Sequence, residues 1–359
     1  MIAGAAIALV WANIRPESYV RLAHALHFAV NDVAMVFFFG LATKEIVEAA
    51  APGGPLHSLR RAAVPVFAAV GGMAGPALLY VALGVGLGMP EIVRGWAIPC
   101  ATDIAFSYLI ARLVFGPDHP AVPFLLLLAI ADDAMGLALL AAVYPSGPVH
   151  LVHFAALLGV ACAIAWQLRR LKVRSFWPYV VIPGAVSWAG FHLGGLHPAL
   201  ALVPIIPFLP RAPHETGLFT GDGPCEHDPL NAFEHWWSTP VEVILFFFAL
   251  TNAGVAIGSA GPTTWIVLAA LGLGKPVGIV ATTWLAERAG LHRPAHLSWP
   301  DLLVLGAAAG IGFTVALFFA TAAFGPGLLL DQAKLGALLS VSSAVVAFGM
   351  ARLLRVGRA

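Results

Sequence analysis

VPFLLLLAIADDAMGLALLAAV, residues 122–143, is a long apolar run with two adjacent aspartates, Asp132 and Asp133, at its centre. About 20 apolar residues cross the hydrocarbon core of a bilayer as a helix, so this run reads as a transmembrane helix. An acid at the middle of such a helix costs at least about 2.5–3.5 kcal/mol on insertion scales, and here there are two. No packing need offsets that cost. The pair marks a site for a cation, a proton or both, and carboxylate oxygens are hard donors suited to hard cations. Successive residues on a helix point about 100° apart. One aspartate can therefore face an ion cavity while its neighbour meets a second helix, and the two titrate as a coupled unit. The competing reading is a structural hydrogen-bonded pair at a helix–helix contact.

The rest of the chain agrees with a membrane setting. Of its 359 residues 60% are hydrophobic and only 10% charged, against roughly 25% charged in soluble domains. The net charge of +1 gives no basic face for nucleic acid. Cys100, Cys162 and Cys225 form no CxxC pair, so neither a disulfide framework nor a zinc site is expected. Met1–Trp11 is apolar without a basic flank, which argues against a cleavable signal peptide.

Apolar runs between polar or Pro/Gly breaks predict an all-α polytopic protein of about twelve segments. They lie at roughly 1–14, 26–47, 62–87, 96–115, 121–143, 149–168, 176–191, 196–209, 240–258, 263–285, 301–324 and 332–354, in one integral membrane domain over 1–359. With both termini cytoplasmic, fourteen Lys and Arg residues fall inside. Four (Arg15, Arg21, Arg94 and Lys334) fall outside, and Lys275 stays in the membrane. That bias follows the positive-inside rule. The longest polar loop, about 210–238, is then cytoplasmic and carries His214, Glu215, Asp222, Glu226, His227, Asp228, Glu234 and His235. Its histidines read as solvated loop residues.

Few charges remain inside the segments. Asp103 lies in GWAIPCATDIAF, where Pro99 disrupts a helix and Thr102 offers a hydroxyl to freed backbone groups. A kink with a locally bonded acid is the competing reading. Lys275 lies in GLGKPVGIV. A buried ammonium needs a partner, and the acids of segment five are the best ones. The alternative is snorkelling to a helix end. In segment eleven, Gly310-Ile311-Gly312-Phe313-Thr314 favours an unwound stretch over simple close packing. Segments three to five (about 62–143) and ten to twelve (about 263–354) thus each hold an interrupted middle helix, a pattern that points to inverted repeats around a transporter site. Asp32 reads as a residue binding locally at the start of segment two. Glu242 reads as lying near a helix start, and His197 as a structural histidine.

Taken together, NDVAMVFFFGL (31–41), GWAIPCATDIAF (95–106), LLAIADD (127–133), GLHPALA (195–201), LTNAGVAIG (250–258), GLGKPVGI (272–279) and GIGFTVALFFATAAF (310–324) resemble the NhaA-type Na+/H+ antiporters almost end to end. The resemblance implies twelve helices with two crossed, broken ones, segments four and eleven. It implies that Asp133 is the main ligand of a transported Na+ or Li+ and Asp132 the partner of Lys275. Thr102 and Asp103 would sit at the crossing, with Asp103 offsetting helix-end dipoles and Gly310 and Gly312 in the break.

The implied activity is secondary exchange of cytoplasmic Na+ or Li+ for external protons at the paired aspartates, electrogenic, in a bacterial inner membrane. It needs no cofactor and is not enzymatic. A sodium-coupled symporter on the same fold, an intramembrane aspartyl protease and a non-transporting sensor are the alternatives. Three departures stand out. Ala42 follows Gly40-Leu41 where the family has a glutamate, so a shallower pH dependence is expected. The stretch Asn13–His27 is short, so a homodimer would not use the family's outer β-hairpin. Ala134-Met135-Gly136 follows the aspartates where the family has bulkier residues before a glycine, so cation preference could differ.

Overall fold

The apolar runs fold as helices because lipid offers the backbone no hydrogen-bond partner, and a helix satisfies its own. A computed structural model describes residues 1–211 and 228–356. Along the chain it contains α1 (Ile2–Ile14), α2 (Pro16–His27), α3 (Met35–Ala50), α4 (Leu59–Gly86), α5 (Ile104–Phe115), α6 (Ala121–Val143), α7 (Leu151–Arg170) and α8 (Trp177–Leu193). It continues with α9 (Pro229–Asn252), α10 (Pro262–Ala269), α11 (Lys275–Arg288), α12 (Trp299–Ala309), α13 (Phe313–Ala323), α14 (Leu328–Leu339) and α15 (Ser343–Leu354). The described residues hold no strand. Seven helical stretches among them are long and apolar enough to cross a membrane, or eight if α12 and α13, bent by 54°, form one span. The fold is that of an all-helical, multi-pass membrane protein.

Several sequence-based boundaries need correction. Segment two starts at Pro16, because α2 and α3 join through a wide π-type turn at Phe28–Ala34. Asp32 therefore lies within a continuous span rather than at a helix start. Its carbonyl accepts from Trp188 Nε1 at 2.7 Å, and its carboxylate stands 3.9 Å from His197 Nδ1. Segment eight is not a regular helix: 196–209 holds only the short 3-10 turns Pro198–Leu200 and Ile206–Phe208. Segment four likewise opens on the short 3-10 turn Ile98–Cys100, after another at Pro90–Gly95, before α5 begins.

The polar loop also ends earlier than the sequence suggests. Asp228 caps α9, its Oδ1 accepting from Leu230 N at 3.0 Å, and Pro229 takes the first helical position, where its missing N–H costs nothing. Glu242 is consequently an exposed mid-helix residue. His214, Glu215, Asp222, Glu226 and His227 lie outside the described residues. Lys334, counted on the outer side, is buried in α14.

The chain forms two compact units. The first comprises Met1–His57 and Leu137–Gly254. Buried polar pairs tie it together: Asn31 and Asn252 exchange side-chain amide hydrogen bonds at 3.2 and 2.9 Å. Tyr19 donates to Thr251 O and accepts from Gly254 N. Lys44 is buried between Glu48, at 2.6 Å, and Glu234. Its lysine lies two residues from Ala42, and Glu234 is 190 positions from Lys44, so no local signal in the sequence reveals the group.

The second unit comprises Ser58–Gly136 and Val255–Ala359 and contains every residue singled out above for ion exchange. Its apolar core draws Val64 and Ala68 from α4, Leu125 and Leu128 from α6, Ile279 from α11 and Leu305 from α12. α4 and α11 touch backbone to backbone. A β-carbon at Gly71 would strike the Gly278 carbonyl, and one at Gly278 would strike Gly71. Gly75 and Gly274 are opposed in the same way. The numbers rise on one helix as they fall on the other, so the two run antiparallel. Gly278→Val is expected to force these helices apart and to cost at least about 1–3 kcal/mol, the usual range for overpacking. A lowered melting temperature in detergent is the measurement.

Candidate ion-exchange site

The site is built where two chain breaks meet. Residues 310–312 interrupt α12 and α13, and 97–103 precede α5. A helix end leaves N–H and C=O groups without intrahelical partners, and in the interior of the unit each needs one. Ile311 O accepts from Asp103 N at 2.7 Å. Ala308 O accepts from Ser107 Oγ at 2.9 Å, and Gly312 N donates to Ser340 Oγ at 3.2 Å. The glycines serve approach rather than unusual dihedrals, since Gly310 and Gly312 have ordinary φ values of −66° and −96°. A β-carbon at Gly310 would stand 2.7 Å from Leu271 O, and one at Gly312 would stand 3.2 Å from Ala101 O.

Asp103 caps two helices at once. Its Oδ1 accepts from Phe106 N in α5 at 3.4 Å. Its Oδ2 accepts from the backbone N of Thr314 at 3.2 Å and from the Thr314 hydroxyl at 2.5 Å. Each helix N-terminus carries roughly half a positive charge, and this one buried carboxyl group meets the first turns of two helices. Sequence reading took Thr314 for part of an unwinding stretch. Its bond to a residue 211 positions away has no local signature.

Asp132 and Lys275 are paired. Nζ donates to Asp132 Oδ2 at 2.9 Å and to the Cys100 carbonyl at 2.6 Å. The Lys275 side chain is 0% exposed, which rules out snorkelling. Thr102, expected to serve freed backbone groups, donates its hydroxyl to the same Asp132 Oδ2 at 2.6 Å. Both donors thus converge on one oxygen, while Asp132 Oδ1 is buried with no hydrogen-bond partner. Asp133, next on α6, is only half-buried. The structure therefore brings Thr102, Asp132 and Lys275 into direct contact, and Asp103 and the Gly310–Gly312 break into another. Among the described residues no three His, Cys, Asp or Glu side chains group as a resident metal centre.

The family model for Na+/H+ antiporter 1 matches residues 1–352. The chain belongs to this family. It is 46% identical over 365 residues to Na(+)/H(+) antiporter NhaA 2 of Pelobacter propionicus, covering 99% of this chain and 95% of that protein. It is 47% identical over 370 residues to the NhaA antiporter of Geobacter sulfurreducens (100% and 96% covered). Over 365 residues it is 47% identical to that of Desulfitobacterium hafniense (99% and 94%). The adjacent pair Asp132 and Asp133 stands on the one helix α6, whereas an intramembrane aspartyl protease needs its pair on two facing helices.

Proposed function

We propose that the chain is a secondary transporter, not an enzyme, that exchanges Na+ or Li+ for protons at Asp132 and Asp133. The observation that carries this reading is the single oxygen, Asp132 Oδ2, shared by Lys275 and Thr102 beside a more open carboxylate. Asp133 is the main cation ligand, with Asp132 and Thr102 completing the donor set. A cation arriving at Asp133 draws on the unpartnered Oδ1 of Asp132 and weakens the hold of Lys275 on Oδ2. The lysine then keeps its bond to the Cys100 carbonyl, so its ammonium is not stranded. Cation binding requires both carboxylates ionised, and reprotonation expels the cation on the other side. If both sites change protonation per cycle, about two protons exchange per cation and the exchange moves net charge.

Asp103 holds the two breaks together by capping α5 and α13 and offsetting their dipoles. The antiparallel contact of α4 with α11 and the meeting of the two breaks support inverted repeats over about 62–143 and 263–354 with segments four and eleven crossing. The basic residues support cytoplasmic termini in a bacterial inner membrane, with Na+ or Li+ leaving the cytoplasm.

Collapse of a proton gradient in everted vesicles on adding Na+ or Li+ tests the reading, and no collapse with either ion across pH 6–9 overturns it. Competition at the aspartates also predicts a moving midpoint. More cation favours the deprotonated site, so tenfold more Na+ shifts half-maximal exchange to lower pH. The shift is about one unit for one competing proton and about half a unit for two. Exchange rates in proteoliposomes at two Na+ concentrations measure it. A midpoint that ignores Na+ requires a separate pH sensor.

A further inference from the structure

The break between α12 and α13 leaves a buried donor, Gly312 N, whose partner belongs to neither helix. Its partner comes from elsewhere in the second unit. Ser340 Oγ accepts from Gly312 N at 3.2 Å and donates its own proton to Ala337 O at 2.6 Å. The hydroxyl proton is thus committed, and an oxygen lone pair is turned to Gly312. Ser340 is fully buried and begins the 3-10 turn Ser340–Ser342 that joins α14 to α15. Gly312 sits in close quarters: a β-carbon there would stand 3.2 Å from both Ala101 O and Leu271 Cδ2.

Two residues beyond Gly312 is Thr314, whose N–H and hydroxyl both bind Asp103. Next to Asp103 is Thr102, whose hydroxyl binds Asp132. We propose that Ser340 is a positioning residue for ion exchange. By holding Gly312 N it fixes the first turn of α13, and through Thr314, Asp103 and Thr102 it sets the geometry of the aspartate pair. Ser340 touches neither the aspartates nor the cation. The inference rests on the exchange role proposed above for Asp132 and Asp133.

The test compares Ser340→Ala, Ser340→Cys, Ser343→Ala and Asp133→Asn in proteoliposomes at fixed pH, with exchange expressed per folded protein. Ser340→Ala leaves a buried N–H unsatisfied at the break and is expected to raise the Na+ concentration for half-maximal exchange about tenfold. The maximal rate is expected to stay within about twofold, because no ligand is lost. Ser340→Cys keeps the size with a weaker acceptor and is expected to fall between. If the alanine variant does not fold, the cysteine variant carries the reading. Ser343 is also buried, one turn further on, and Ser343→Ala is expected to match wild type.

A purely structural serine would lower the melting temperature and leave half-saturation unmoved; that result overturns the proposal, as does an equal shift in Ser343→Ala. Full exchange in Asp133→Asn instead overturns the exchange role itself. Loss of exchange in Asp133→Asn with no shift in either Ser340 variant removes only the positioning role.

Discussion

Asp133→Asn is expected to abolish Na+-driven proton release while leaving the protein folded in the membrane. The amide has the volume of the carboxylate but can neither release a proton nor balance a cation's charge. Asp133 is only half-buried, unlike the fully enclosed Asp132–Lys275 pair. The melting temperature in detergent should therefore stay within about 4 °C of wild type, the shift that corresponds to roughly 1 kcal/mol or less. Fluorescence-monitored exchange in everted vesicles decides it. Release near the wild-type level would remove Asp133 from the mechanism.

Lys275→Ala is expected to cost stability as well as activity. It leaves Asp132 buried with Thr102 as the one remaining donor shown to reach it. Breaking a buried ion pair by deleting one partner typically costs about 3–5 kcal/mol. Asp132→Asn is gentler, because Lys275 retains the Cys100 carbonyl. Adding Asp132→Asn to Lys275→Ala removes the uncompensated charge and should restore part of the loss. A thermal-melt double-mutant cycle should then report a coupling of about 0.5–3 kcal/mol, the range for contacting pairs. Strict additivity would contradict a direct pairing.

Much of this molecule was legible from the order of its residues. A charge inside an apolar run is visible without knowing the fold, because its cost depends on the bilayer rather than on neighbours. Asp103, Asp132, Asp133 and Lys275 were found that way, and the pairing of Lys275 with an acid of segment five followed from the need of a buried ammonium for a counter-charge. Most helices were equally plain, since the bilayer makes an apolar run satisfy its own backbone; segment eight, which holds only 3-10 turns, was the exception. Helix ends were less so. Pro16 and Pro229 start helices well before the hydropathy rises, because capping and a proline at the first position are local features that apolarity does not register.

What only the tertiary structure decided are the partners. Lys44 and Lys334 enter the sequence reading only as charges counted on one side or the other of the membrane, yet both are buried, Lys44 against a glutamate 190 positions away. Thr102 was expected to mend its own backbone and instead binds Asp132, while Thr314 and Ser340 satisfy groups at breaks they do not adjoin. The sequence by itself determined which residues a membrane makes expensive, because that cost is set by one residue and its immediate run. Which atom each of them holds was decided by the folded second unit, because a hydrogen bond across 30 to 211 positions depends on where two breaks come to lie in space.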